Sequence, residues 1–238
     1  MRIRVINPNT TESMTALIEA SARAVAGPGV VVEAVTSSMG PASIESHYDE
    51  ALAVPGILAV LRDADGYVLA CFGDPGLDAA REVANGPVVG IAEAAMHAAT
   101  LVGRGFSVVT TLSRTRGRAH DLAGRYAAAG ACRGVHACDI PVLELESDPA
   151  ARKEVVALAR HALEHDDSDA IVLGCAGMAG FAAVASAELG VPVIDGVAAA
   201  TLLVQSLITL GVRTSARGEY APPPPKPYTG MLGDFARE

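Results

Sequence analysis

Lysine is nearly absent from this chain of 238 residues. The two present, Lys153 and Lys226, fall in a helical pattern and in a proline-rich tail. Pyridoxal chemistry needs a Schiff-base lysine held in a pocket, and neither position supports it. Basic charge is scarce altogether: 18 Lys+Arg face 27 Asp+Glu, the formal net charge is -9, and no basic cluster occurs. That balance argues against a nucleic-acid partner and favours a small solute. No CxxC pair occurs among Cys71, Cys132, Cys138 and Cys175, so the usual zinc and redox spacings are missing. Gly103-Arg104-Gly105 precedes a strand rather than following one, so it is not a dinucleotide loop, and no phosphate loop appears elsewhere. Neither a cofactor nor a metal is expected.

Long apolar leaders are missing too. Met1-Arg2-Ile3-Arg4-Val5-Ile6-Asn7-Pro8 lacks the apolar region of a signal peptide, so the expected location is cytoplasmic. Two charge-free runs, 170–187 and 196–212, approach the length of a membrane span. The first contains Gly174, Gly177 and Gly180, and the second Gln205, Ser206 and Thr209. Both therefore read as buried core, with no membrane partner.

Half the residues are hydrophobic and 19% are charged, which fits helices covering both faces of a buried sheet. Strand and helix patterns alternate along the whole chain, predicting an α/β fold with parallel strands and right-handed crossovers. Strands are expected at 2–6, 30–35, 66–71, 87–91, 106–110, 135–138, 170–174 and 191–195. Helices fall between them, including one over 47–62 that kinks or breaks at Pro55.

This pattern repeats. Ala64-Asp65-Gly66-Tyr67-Val68-Leu69-Ala70-Cys71 matches Ser168-Asp169-Ala170-Ile171-Val172-Leu173-Gly174-Cys175 at an offset of 104 residues. Val5-Ile6-Asn7 falls opposite Val109-Thr110-Thr111 at the same offset, and Pro87-Val88-Val89 opposite Pro192-Val193-Ile194 at 105. The repeat predicts two lobes related by a pseudo-twofold axis, each a four-stranded mainly parallel sheet flanked by helices, with the active site in the cleft between them. The expected division is 1-96 plus 208-238 for the first lobe and tail, and 97-207 for the second. Tyr220 to Gly230 is proline-rich and reads as an extended tail.

Cys71 and Cys175 each end the third strand of a lobe, at the sheet edge where open α/β folds bind ligands. Small turn residues and then helical patterns follow both. Helix dipoles and free backbone N–H groups at those positions are expected to favour thiolate. Two facing thiols suit a reaction in which one group takes a proton from carbon and the other returns one on the opposite face, which is racemisation or epimerisation. Backbone N–H groups after the cysteines, with Thr110 and Thr111, are candidates to hold the enolate-like oxygen.

Asn7-Pro8-Asn9-Thr10, Gly40-Pro41-Ala42-Ser43-Ile44-Glu45, Cys71-Phe72-Gly73-Asp74-Pro75-Gly76, Gly90-Ile91-Ala92-Glu93-Ala94-Ala95, Val109-Thr110-Thr111 and Gly174-Cys175-Ala176-Gly177-Met178 together resemble the aspartate/glutamate/hydantoin racemase family, in its hydantoin and allantoin racemase branch. The resemblance spans nearly the whole chain. It implies a cofactor-independent racemase of two α/β lobes, commonly a homo-oligomer, with Cys71 and Cys175 as the acid/base residues. It also implies that Asn7, Thr10, Ile44, Phe72, Gly73, Thr110, Ala176 and Gly177 bind substrate.

Glu45 and Asp74 lie beside these motifs, and Asp74 fits a helix N-cap. A hydantoin ring asks for amide and hydroxyl partners, whereas an acidic amino acid wants a basic one. Arg114 and Arg116, close after Thr111, keep an aspartate or glutamate racemase as an alternative, with maleate isomerase or arylmalonate decarboxylase chemistry beside it. A two-lobed solute-binding protein is the non-enzyme alternative. His161 and His165 have the i, i+4 spacing of metal ligands but no third partner, so they read as a solvated helix face. Cys132 and Cys138 read as structural.

Overall fold

The computed structural model describes residues 1–147 and 149–236. Among them lie eight strands in two parallel sheets. The first sheet is built from β1 (Arg2–Asn7), β2 (Val31–Thr36), β3 (Gly66–Leu69) and β4 (Val88–Gly90), in the order β2-β1-β3-β4. The second contains β5 (Phe106–Thr110), β6 (Cys132–Ala137), β7 (Ala170–Leu173) and β8 (Val193–Ile194), in the order β6-β5-β7-β8. The order in one sheet is the order in the other, which is the two-lobed α/β architecture the repeat predicts.

The central strands are continuous apolar runs because helices cover both of their faces. Val5, Ile6, Val68, Leu69, Val108, Val109, Ile171 and Val172 are all fully buried. Burial of such a side chain stabilises the fold by about 1.5–3 kcal/mol. The connecting helices are α1 (Glu12–Val25), α2 (His47–Val60), α3 (Leu77–Val83), α4 (Ile91–Val102), α5 (Arg116–Arg125), α6 (Glu144–Ser147), α7 (Pro149–His165), α8 (Ala182–Leu189) and α9 (Gly196–Thr209). Ser46 caps α2, accepting from the Asp49 N–H, and the helix runs through Pro55 without the expected break. The tail from Ala221 is irregular up to a 3-10 turn at Gly230–Phe235.

Pairing register corrects the repeat by one residue. Ile6 pairs with Leu69 in the first sheet and Val109 with Leu173 in the second, so the third strands correspond at 104 but the first strands at 103. Asn7 therefore matches Thr110, not Thr111, and each ends its strand, beside Thr36 and Ala137 respectively.

Two helices tie the lobes together. α9 follows the second sheet yet packs on the first, with Val204 and Ile208 against Gly66 and the Gln205 amide accepting the Gly27 N–H at 3.0 Å. α4 follows the first sheet and lies against both β7 and α9. One apolar cluster consequently contains Ile3 and Leu69 from the first sheet with Phe106 and Val172 from the second.

Candidate active site

The carboxyl ends of the two sheets enclose a cavity of about 210 Å³ lined by both Cys71 and Cys175. Each cysteine lies two residues beyond its strand. Ala70 N–H donates to the Ile6 carbonyl at 2.9 Å, and Gly174 N–H to the Val109 carbonyl at 2.8 Å, so the strand pairing continues to the residue before each thiol. The sulfurs are then held alike: Gly177 N–H donates to Cys175 Sγ at 3.3 Å, and Gly73 N–H to the Cys71 sulfur.

The expected helix dipoles are not at the thiols. α3 begins six residues beyond Cys71, and Cys175 is followed by a 3-10 turn at Ala176–Met178, with α8 starting only at Ala182. Burial dominates instead, because a thiolate loses solvation. It pushes the Cys71 thiol well up, against the Gly73 N–H, with Glu50, Cys175 and Asp74 adding to the rise. It pushes Cys175 up to about 12, opposed by the Gly177 N–H and reinforced by Cys138 and Glu45. Desolvation therefore favours the protonated form of both thiols, contrary to the thiolate expectation.

Ile44, Phe72, Gly73, Thr110 and Ala176 join the cysteines around the cavity, as does Thr111. Thr110 donates its hydroxyl proton to the Gly174 carbonyl at 3.1 Å, bracing the residue before Cys175. Three other expected site residues are not in the lining. Asn7 is fully buried and spends its amide on Asn9 Oδ1 at 2.8 Å and Thr15 Oγ1 at 3.0 Å, which orients Asn9, a lining residue. Thr10 binds the Pro41 carbonyl through its N–H at 3.0 Å, fixing the loop that carries Ile44. Gly177 faces Leu145 and Val142 and borders a smaller adjoining cavity.

Glu45 lines the cavity and accepts the Val142 N–H at 2.8 Å, joining the first-lobe loop to the second lobe. Asp74 is a capping residue, though for a different helix from the one that follows it. Gly76 caps α3, while Asp74, itself at φ 46, accepts the Ala92 and Glu93 N–H groups at the start of α4, at 3.2 and 2.9 Å. The Tyr126 hydroxyl completes its shell at 2.7 Å. Burial raises the Asp74 carboxyl to about 6 against these three donors.

Sequence reasoning missed Met14, Glu50, Arg118 and Val142, all in the lining. Arg114 is in the lining as well, but Arg116 turns away and donates to the Val135 carbonyl at 2.8 Å. The signal for Arg118 was present: one helical turn separates it from Arg114, so the two share a face. Among the described residues no group of His, Cys, Asp or Glu could hold a metal ion, and no helix is long and apolar enough to cross a membrane. His161 and His165 stack their rings 4.1 Å apart on an exposed helix face.

Known proteins share this arrangement over its full length. The chain is 44% identical to a hydantoin racemase of Pseudomonas sp. strain NS671, covering all of this chain and 98% of that one. An allantoin racemase structure from Klebsiella pneumoniae superposes with a TM-score of 0.97 at 50% identity, covering 99% of each chain. A second, from Pseudomonas fluorescens, gives 0.93 at 40% identity, over 97% of this chain and all of that one. Residues 3–204 match the family described as Asp/Glu/Hydantoin racemase. With that match and those identities, the chain belongs to the Asp/Glu/hydantoin racemase family.

Proposed function

We propose that this isomerase racemises 5-substituted hydantoins or allantoin, using Cys71 and Cys175 as its two acid/base groups and no cofactor. The observation that carries the reading is the delivery of two equivalently held thiols into one cavity. One thiolate takes the proton from the stereogenic carbon, and the electron pair of that bond moves into the adjacent carbonyl as an enolate. The opposing thiol gives its proton to the other face. The product leaves with configuration inverted and the two sulfurs with their roles exchanged. Coulomb repulsion in a small cavity disfavours two thiolates at once, so the pair titrates as a unit.

Ile44, Phe72, Gly73, Thr110 and Ala176 are the substrate contacts in this reading, while Asn7, Thr10 and Gly177 hold the walls behind them. The protein works in the cytoplasm as a homo-oligomer in the same reading, with exposed Leu210 and Met231 as apolar surface for a second copy to cover.

In D2O the wild type should lose the optical rotation of an enantiopure hydantoin while incorporating deuterium at its stereocentre. A Cys71→Ser, Cys175→Ser double variant that still racemises would overturn the assignment. The second reading, an acidic amino acid substrate, draws on Arg114 and Arg118 in the lining. Polarimetry against hydantoins, allantoin, aspartate and glutamate separates the two, and turnover of the amino acids alone would replace the first.

A further inference from the structure

Although the two cysteines are presented alike, the walls beside them differ. Arg118, on the second-lobe helix α5, reaches across the cleft and donates from Nη2 to the Gly73 carbonyl at 2.7 Å. Its Nε lies 3.3 Å from Glu50 Oε1 on the first-lobe helix α2. Glu50 in turn lies against Gly73, where any added side-chain carbon would strike its carboxylate. At the 103-residue offset of β1 and β5, Arg118 falls opposite Thr15, whose hydroxyl is taken up by Asn7 and Thr36. The Cys71 side therefore has a cross-lobe ion pair, and the matching position of the first lobe carries no charge.

We propose that Arg118 is the positioning residue for Cys71: from the opposite lobe it fixes the turn that presents the thiol and keeps Glu50 paired. The assignment rests on the two-cysteine reading above, in which Cys71 must ionise. Several groups face that thiol, namely Glu50 on α2, Asp74 within its own turn, and Cys175 across the cavity. All three oppose its ionisation, as burial does, and Arg118 is the permanently charged partner of Glu50, with the His47 ring 3.8 Å from the other carboxylate oxygen. An uncharged side chain at position 118 would leave Glu50 without its arginine partner in a half-buried wall. A carboxylate left unpaired beside a thiol raises that thiol by about one pKa unit, and one unit is tenfold in thiolate.

The test is site-resolved alkylation. Iodoacetamide labelling of Cys71 and Cys175 is followed by peptide mass spectrometry against pH, on the full chain, in wild type and in Arg118→Met, Arg118→Lys and Arg118→Met/Glu50→Gln. The expected result is about tenfold slower labelling of Cys71 at pH ~8 in Arg118→Met, with Cys175 unchanged. Arg118→Lys should recover part of the loss, and the double variant most of it, because the offending carboxylate is then gone. Equal slowing at both cysteines, faster labelling of both, or no change at Cys71 would overturn the proposal; melting curves identify any variant that fails to fold, and the lysine variant then carries the comparison. Racemisation by the double serine variant would instead refute the two-cysteine reading and leave the labelling result standing.

Discussion

Substituting Asp74 by Asn should make the protein's stability respond differently to acid. The Asp74 carboxylate is 2% exposed and is held by three donors, yet burial still lifts its pKa to about 6 from an unfolded value near 3.9. The folded state consequently binds this proton more tightly than the unfolded one. Its contribution is fully present below about pH 4 and is lost as the pH rises through about 6. At pH ~4.5 the folded chain is mostly protonated at this site and the unfolded chain mostly ionised, a difference of about 2 kcal/mol, falling to about zero by pH ~7.5. The amide that replaces the carboxyl cannot titrate. The wild type's stability relative to Asp74→Asn should therefore be about 2 kcal/mol more favourable at pH ~4.5 than at pH ~7.5. All other groups are shared and cancel, whatever the fixed cost of the lost acceptor. Urea unfolding followed by circular dichroism at the two pH values measures the difference. A gap that stays constant, or that widens toward pH ~7.5, would show that Asp74 is ionised well below pH 6 and that its three donors outweigh burial.

Racemisation should accelerate with pH. With Cys175 pushed up to about 12 and Cys71 also raised, the thiolate fraction grows tenfold per unit, so kcat/KM from polarimetry should climb about tenfold per unit from pH ~6 to pH ~8.5; a plateau in that range would mean a thiolate already present. Two glycines should respond oppositely to alanine. In Gly90→Ala the new methyl group meets the fixed Asp74 carboxylate and should cost about 1–3 kcal/mol, whereas Gly124→Ala, with nothing within 4 Å of the added carbon in α5, should gain about 0.5–1 kcal/mol. Thermal melts compare them, and a loss of stability in the second would contradict the helix geometry given for it.

The fold was legible because buried parallel strands are written as uninterrupted apolar runs, and the second set of four repeats the first. Strand order, the same in both sheets, came only with the structure. What the sequence left obscure depends on pairing in three dimensions. The single-residue shift that matches Asn7 with Thr110 is invisible until β1 is paired with β3 and β5 with β7. Spacing alone also placed helix termini at the cysteines, whereas the structure inserts a turn in each case and lets burial govern the thiols. Both arginines after Thr111 were visible as charges, but only the path of the chain through the 3-10 turn at Ser113–Thr115 and into α5 decides that Arg114 and Arg118 border the cavity and Arg116 does not. Asp74 was read from its residue type as a helix N-cap; the N-cap positions are Gly76 and Gly90, and its carboxylate instead accepts from a helix that begins 17 residues further on, which required the fold.

The packing of α9 on the first sheet also constrains how the chain is made. β4 ends at Gly90, but the helix that covers that sheet begins only at Gly196, about a hundred residues later. At roughly 5–20 residues per second, the ribosome leaves one apolar face of the first sheet uncovered for about 5–20 s. The amino-terminal half therefore cannot complete its fold while it is being synthesised. It waits for the carboxyl-terminal helix, with part of its apolar sheet face open to solvent during that interval.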